Sequence, residues 1–193
     1  YIKILSTIID FLYGINPMYG TLICVAISVI YTIRGGFRSV VKTDIIQFGM
    51  MFSGFFFILI FLYVKYGGYS FLSSSLPPEM LSFPGTLKWS YIIVWGFIAM
   101  LTFIDPNFYQ RTFAGRSTKD VQRGICISVL LWLVFDLMSI STALYAAAII
   151  PQVAHSPYLD LVSLVLPPVA QGLFIISLLS VVMSTVDSFL FIS

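Results

Sequence analysis

The polar side chains best placed to do chemistry lie near the end of the chain, in the stretch VVMSTVDSFL at residues 181–190. Three hydroxyls and one carboxylate occur there within five positions: Ser184, Thr185, Asp187 and Ser188. Together with Ser177 and Ser180, the serines recur every three or four residues, which places them on one face of an α-helix. Hydroxyl, carbonyl and carboxylate oxygens are ligands for small hard cations, so this face is a candidate cation site.

This polar face, which we call the polar stripe of residues 177–188, lies in a chain with the composition of a membrane protein. The chain of 193 residues is 59% hydrophobic and 9% charged, and its mean hydropathy is +1.00. Soluble domains carry about 25% charged residues. A carboxylate inside an apolar membrane helix costs about 2.5–3.5 kcal/mol, so Asp187 must face protein, water or an ion. The alternative for the serines is structural, because such hydroxyls often bond to the carbonyl one turn back.

The apolar runs predict an all-α polytopic membrane protein with about five transmembrane helices in a single transmembrane domain, residues 1–193. The helices are predicted at about 19–33, 45–64, 89–104, 124–150 and 169–193. The fourth is expected to end before Pro151, and residues 65–88 and 151–160 are expected to form extramembrane loops. The amphipathic opening segment is predicted to be the tail of an earlier helix or an interfacial piece. We expect the sequence to be an internal fragment of a longer chain.

Basic residues predict the orientation of these helices. They concentrate between the first and second helices and between the third and fourth: Arg34, Arg38, Lys42, Arg111, Arg116, Lys119 and Arg123. The positive-inside rule therefore predicts cytoplasmic loops at about 34–44 and 111–123 of a multi-pass protein in the cell membrane. The last helix then runs inward, which puts its polar stripe on the same side as Asp44.

Asp44 lies in a second polar stretch, GGFRSVVKTDIIQF, at residues 35–48. The paired glycines predict a tight turn after the first helix. Thr43 is predicted to cap the second helix, with Asp44 in its first turn. Capping alone would explain the aspartate, and a role in ion binding is the equally open alternative.

Two further aspartates lie at predicted membrane depth. Asp105 precedes Pro106, which breaks or kinks a helix and exposes carbonyls, as at the substrate sites of secondary transporters. An ordinary kink near a helix end is the alternative. Asp136 lies in the middle of the fourth helix near Trp132, where a functional role and a structural hydrogen bond are both open. Cys24 and Cys126 are predicted to be free thiols, and their spacing indicates no metal site.

Three stretches resemble signatures of one family, the sodium/solute symporters. GGFRSVVKTDIIQ at residues 35–47 is similar to the GG-x-x-AV-x-TD-x-x-Q signature. DPNFYQRTFAGRSTKDVQRG at residues 105–124 is similar to D-x-x-x-x-QR-x-x-A-x-x-S-x-x-x-x-x-RG, and residues 166–188 resemble an LP-x-x-x-x-GL segment that ends in serines. The three stretches occur in the order and spacing of the family and cover nearly all of the chain.

The resemblance implies a LeuT-type inverted-repeat transporter core, of which this chain would supply about the fourth through eighth core helices. It implies that Ser184 and Thr185, with the carbonyl of Val181, bind a sodium ion. It also implies an additional cation site in which Ser184 joins three other residues: Asp44, Asp187 and Ser188. The family's first core helix, which contributes further ligands, is absent from this sequence.

The same resemblance implies that Asp105 contacts substrate, together with positions Trp132 and Asp136. Trp132 replaces a polar residue of the sugar carriers, which disfavours a hexose. Asp136 with the following LYAAAIIP is more similar to the organic-acid and amino-acid branches.

The predicted function is therefore sodium-coupled symport of a small organic solute, an organic acid or amino acid, by alternating access. Proton coupling is an alternative, because paired carboxylates titrate together. A membrane input domain of a signalling protein is a second alternative, and an enzyme is not predicted, since no nucleophile–base pair occurs. The predicted partners are sodium, the solute and the lipid bilayer. No cofactor beyond the coupling ion and no nucleic acid is expected, and the oligomeric state is left open.

Overall fold

The computed structural model describes residues 2–14, 16–150, 152–154 and 156–192. Pro151 and Ser193, which the sequence placed at helix boundaries, lie outside the described residues. The α-helices are α1 Ile2–Tyr13, α2 Pro17–Tyr66, α3 Tyr69–Ser75, α4 Trp89–Ala99, α5 Pro106–Phe113, α6 Thr118–Ile149, α7 Pro157–Val165 and α8 Pro168–Ile192. Two short 3-10 helices, Pro78–Leu81 and Met100–Ile104, lie before α4 and after it. The described residues are thus all-helical apart from loops, as predicted.

Helix α2 contains both the first and the second predicted membrane helices. Its 50 residues are interrupted at Gly36, whose φ of 56° and ψ of −157° are not helical. A straight helix of this length would extend about 75 Å, more than twice the thickness of a hydrocarbon core. Gly36 therefore separates two membrane-length segments, 17–35 and 37–66. The prediction of a loop at 34–44 was wrong, because the chain is helical there on both sides of a one-residue break.

Contacts across this break show that the chain reverses direction there. Tyr31 before Gly36 and Gln47 after it both lie beside Asp187 of α8, and the Tyr31 hydroxyl also lies beside Thr43. The second segment runs along α8 in the opposite direction, with Phe37 against Phe191, Asp44 against Ser184 and Gly54 against Ser177. The two segments of α2 therefore form a hairpin that packs along α8. A glycine suits the break, since its positive φ disfavours any side chain.

Helix contacts divide the chain into two compact units, residues 1–65 with 137–193 and residues 66–136. In the first unit, α1 buries Leu5, Ile8 and Ile9 in one apolar cluster with residues of α7 and α8, among them Leu159 and Val182. These side chains are buried against one another, as in the close-packed interior of a protein. The amphipathic opening segment is thus a packed helix within this unit.

The second unit contains the break predicted at Asp105–Pro106. Helix α4 ends at Ala99, and the 3-10 helix Met100–Ile104 leads to Asp105, from which α5 begins. The apolar segment 89–104 and α5 meet at an angle of 44°. The sequence placed the helix end correctly and missed that its last turn is a 3-10 helix.

The remaining boundaries differ from the predictions by short extensions. Helix α6 begins at Thr118 rather than about residue 124, and the two predicted loops contain α3 and α7.

Three helices, α2, α6 and α8, are long and apolar enough to cross a membrane, and the bent pair Trp89–Ile104 with Pro106–Phe113 is a fourth candidate. Many large apolar side chains on these helices are exposed, Ile33 by 78% and Val64 by 78%. Exposed apolar faces of this kind can contact the hydrocarbon core of a bilayer or other helices.

Candidate cation site

Most hydroxyls of α8 bond to their own helix. The donors and acceptors are Ser177 to Leu173 O, Ser180 to Ile176 O, Thr185 to Val181 O and Ser188 to Ser184 O, at 3.0, 2.8, 3.2 and 3.0 Å. This is the structural pattern that hydroxyls in membrane helices commonly adopt. Ser184 differs, because its hydroxyl donates to Asp44 Oδ1 of α2 at 2.9 Å. The polar stripe thus connects to a carboxylate of another helix at Ser184.

Asp44 does not lie at the start of a helix. Helix α2 is already helical at residue 37, and Thr43 donates its hydroxyl to Ser39 O at 3.2 Å and to Val40 O at 2.8 Å. The prediction that Thr43 caps a helix was therefore wrong, and a favourable first-turn position no longer accounts for Asp44. The contact with Ser184 gives this carboxylate a role between helices.

Asp187 is fully buried in the same unit and faces a different set of residues. Its Oδ2 accepts a hydrogen bond from Gln47 Nε2 at 3.2 Å. The Tyr31 hydroxyl lies beside the carboxylate, and Ser28 Oγ is 3.4 Å from that hydroxyl. Asp187 Oδ1 and Gln47 Oε1 are both buried and accept no hydrogen bond from any described residue. A buried carboxylate with an unsatisfied oxygen is expensive unless a cation or a proton compensates it.

Two oxygens of the first predicted sodium position lie close together. Thr185 Oγ1 lies 3.2 Å from the carbonyl oxygen of Val181, so both oxygens face the same side of α8. Ser184 is the neighbouring residue. Within the described part of the chain, no group of three or more His, Cys, Asp or Glu is arranged for a metal ion. The oxygens near Ser184 and Thr185 are hydroxyls, carbonyls and carboxylates, a set that favours a hard cation over a soft one.

The three residues predicted to contact substrate belong to the second unit. Asp105 Oδ1 accepts a hydrogen bond from Asn107 N at 2.8 Å, so Asp105 caps α5. Trp132 is 59% exposed and packs edge-on against Phe135, with ring centroids 6.3 Å apart. Asp136 follows one turn later on α6 and is also exposed. The structure thus gives Asp105 a structural bond and leaves Trp132 and Asp136 on one exposed face.

The sequence did not single out the partners of Asp187 on α2. Gln47 lies three residues after Asp44 and so shares its helix face, but the sequence alone does not pair it with Asp187. One signal was available, because Ser28 and Tyr31 are three residues apart and so share a helix face. Their meeting with Asp187 depends on the hairpin at Gly36, which spacing alone does not fix.

Comparisons with family models and with individual proteins both find similar sequences. The family model described as "Sodium:solute symporter family" matches residues 5–193. A sodium/pantothenate symporter of Haemophilus influenzae is 30% identical over 174 residues, which cover 82% of this chain and 35% of that protein. Solute carrier family 5 member 4A of Mus musculus is 43% identical over 56 residues, 29% of this chain and 8% of that protein. The chain thus spans about a third of the bacterial relative's length. No solved structure matches it significantly.

Proposed function

Because this chain belongs to the sodium:solute symporter family, we propose that it carries the cation-binding helices of a symporter that couples sodium entry to uptake of a small organic solute. The observation that carries the proposal is the bond from Ser184 to Asp44 Oδ1 at 2.9 Å. It joins the hydroxyl stripe of α8 to a carboxylate of α2, which provides both the oxygens and the negative charge that sodium requires.

Two cation positions follow from these oxygens. The first uses the Val181 carbonyl with the hydroxyls of Ser184 and Thr185. The second uses Asp44, Ser184 and Ser188, with Asp187 contributing charge. A hydroxyl that donates to a carboxylate still has lone pairs, so Ser184 can rotate to offer its oxygen to an ion. Ser184 therefore belongs to both positions and links their occupancy.

Sodium binding would bias the conformation of the carrier through these carboxylates. A cation between α2 and α8 offsets the repulsion and burial of Asp44 and Asp187, and it favours the state in which those helices are packed as seen here. In the proposed LeuT-type inverted repeat, this state would face outward, and rocking to an inward-facing state would release sodium to the cytoplasm. The predicted orientation in the cell membrane, with residues 34–44 and 111–123 inside, is consistent with this direction.

The proposed solute is an organic acid or amino acid. Sodium/pantothenate symport is the named activity of one relative, and pantothenate is a carboxylic acid. Asp105, Trp132 and Asp136 are the proposed contacts in this chain. The helix is broken at Asp105, between the 3-10 helix Met100–Ile104 and α5, and substrate sites of secondary transporters lie at such broken helices.

The test is uptake by the full-length protein in proteoliposomes. A panel of radiolabelled organic acids, amino acids and hexoses would be offered with an inward sodium gradient, or with choline in place of sodium. We expect uptake of an acid or amino acid that requires sodium. Equal uptake in choline would overturn sodium coupling, and uptake driven by a proton gradient without sodium would establish the proton-coupled alternative.

A further inference from the structure

We propose that Gln47 and Tyr31 provide oxygen ligands to a cation held by Asp187, at a position separate from the one formed by Asp44 and Ser184. The proposal rests on the proposed sodium coupling and adds two residues to which the family resemblance gave no role in ion binding. We call Ser28, Tyr31, Gln47 and Asp187 the Asp187 cluster. All four belong to the first compact unit.

The Asp187 cluster has the composition of a buried cation site. Asp187 is 0% exposed, and its Oδ1 accepts no hydrogen bond from a described residue. Gln47 Oε1 is buried and equally unsatisfied. No described Lys or Arg side chain pairs with Asp187, whose other oxygen is held by the Gln47 amide at 3.2 Å. Two unsatisfied oxygens, one of them charged, are costly together unless a cation or a proton lies between them. With the proposed sodium coupling, a sodium ion is the candidate, and a sodium titration tests it.

Gln47 is suited to serve the carboxylate both with and without an ion. In the arrangement described, its NH₂ group donates to Asp187 Oδ2. Rotation of the terminal amide by a half turn exchanges the positions of nitrogen and oxygen and changes little in shape. The carbonyl oxygen then faces the carboxylate, which is favourable only when a cation separates the two. The amide thereby replaces the ion when Asp187 is not coordinating one.

Tyr31 supplies the third oxygen. Its hydroxyl lies beside the Asp187 carboxylate and 3.4 Å from Ser28 Oγ. The hydroxyl can donate its proton to Ser28 and still offer lone pairs to a cation. Carboxylate, amide and hydroxyl oxygens from both segments of the α2 hairpin and from α8 would thus surround the ion. Cation binding would then hold the hairpin against α8.

The experiment measures the sodium concentration at half-maximal stabilisation of the purified full-length protein, from thermal unfolding with choline replacing sodium. Ligand binding to the folded state raises the unfolding temperature with ion concentration. We expect Gln47→Leu to raise the sodium midpoint about 10–100-fold, as loss of supporting residues does at metal sites. We expect Gln47→Glu, which keeps an oxygen in either protonation state, to shift it by less than Gln47→Leu does.

Tyr31→Phe removes only a hydroxyl and keeps the test decisive if Gln47→Leu fails to fold. We expect it to raise the midpoint about tenfold. Matched controls come from the same unit: Gln171→Leu, which loses bonds to Leu166 O and Ser163 O, and Tyr158→Phe, which loses a bond to Ser139 O. We expect both control variants to lower the unfolding temperature at every sodium concentration and to leave the sodium midpoint unchanged.

The outcomes separate this proposal from the one on which it rests. If wild type shows a sodium midpoint that Ser184→Ala raises, while Gln47→Leu and Tyr31→Phe keep the wild-type midpoint, the Asp187 cluster is structural and only the further inference fails. If wild type shows no sodium-dependent stabilisation or uptake, the sodium coupling itself fails.

Discussion

The hydroxyl of Ser184 and the carboxylate of Asp44, 140 positions apart in the chain, are joined by a hydrogen bond of 2.9 Å between α8 and α2. The other hydroxyls of the α8 stripe from Ser177 onward all bond back to carbonyls of α8 itself. Ser184 thus connects the hydroxyl stripe of α8 to a carboxylate of another helix.

Replacing Ser184 with Ala should weaken sodium binding about ten- to hundredfold. The substitution removes an oxygen that both proposed positions offer to the ion. If that contact is comparable to a hydrogen bond to a charged group, about 1.5–3 kcal/mol, it corresponds to this loss at about 1.4 kcal/mol per tenfold in affinity. Sodium titration of solute uptake would measure the change. Ser180→Ala is the matched control, since Ser180 bonds to Ile176 O and to Met50 Sδ rather than to a carboxylate. Equal effects of the two substitutions would show that Ser184 is structural.

Thr185→Val should also raise the sodium concentration required for uptake, by about tenfold, while Thr185→Ser should preserve it. Valine keeps the shape of threonine and removes the oxygen that lies 3.2 Å from the Val181 carbonyl, whereas serine keeps that oxygen. The control is Thr142→Val, because Thr142 is fully buried and bonds to Met138 O within α6. A sodium dependence that survives Thr185→Val would remove Thr185 from the first proposed position.

The sequence predicted the helical class and the helix cores because those depend on local apolar runs and on prolines. It predicted the break at Asp105–Pro106 for the same reason. The paired glycines predicted a tight turn after the first helix, and the break at Gly36 confirms it. The predicted length of the connection, residues 34–44, was wrong, because the chain needs only one residue with a positive φ to reverse.

The site was predictable where residues cluster along one helix and not where helices meet. The spacing of the α8 hydroxyls identified Ser184 as a candidate, and the structure places its hydroxyl against Asp44. The partners of Asp187 depend on the angular setting of two helices, which a single sequence does not determine. Gln47 and Tyr31 therefore emerge only from the packed arrangement.

Gly54 should resist even the smallest substitution. A Cβ added to Gly54 would overlap the side chain of Ser177 on α8, and overpacking costs about 1–3 kcal/mol. Gly54→Ala should therefore lower the thermal unfolding temperature despite the better helix propensity of Ala. Gly49→Ala is the control, since a Cβ there meets no atom within 4 Å. Ser177→Gly combined with Gly54→Ala should recover part of the loss, and no recovery would contradict close packing at this contact.

Asp105 combines a structural bond with a proposed contact to substrate, and two substitutions separate these roles. Its carboxylate accepts from Asn107 N at 2.8 Å at the start of α5. Asn also accepts such a bond, whereas Ala does not, at a cost of about 1 kcal/mol. Hydrogen exchange at residues 106–113 should therefore accelerate in Asp105→Ala and remain near wild type in Asp105→Asn. If the carboxylate contacts the solute, both variants raise the KM for uptake, because both remove its charge. A wild-type KM in Asp105→Asn would leave Asp105 with the capping role alone, since that variant retains the helix start and lacks only the charge.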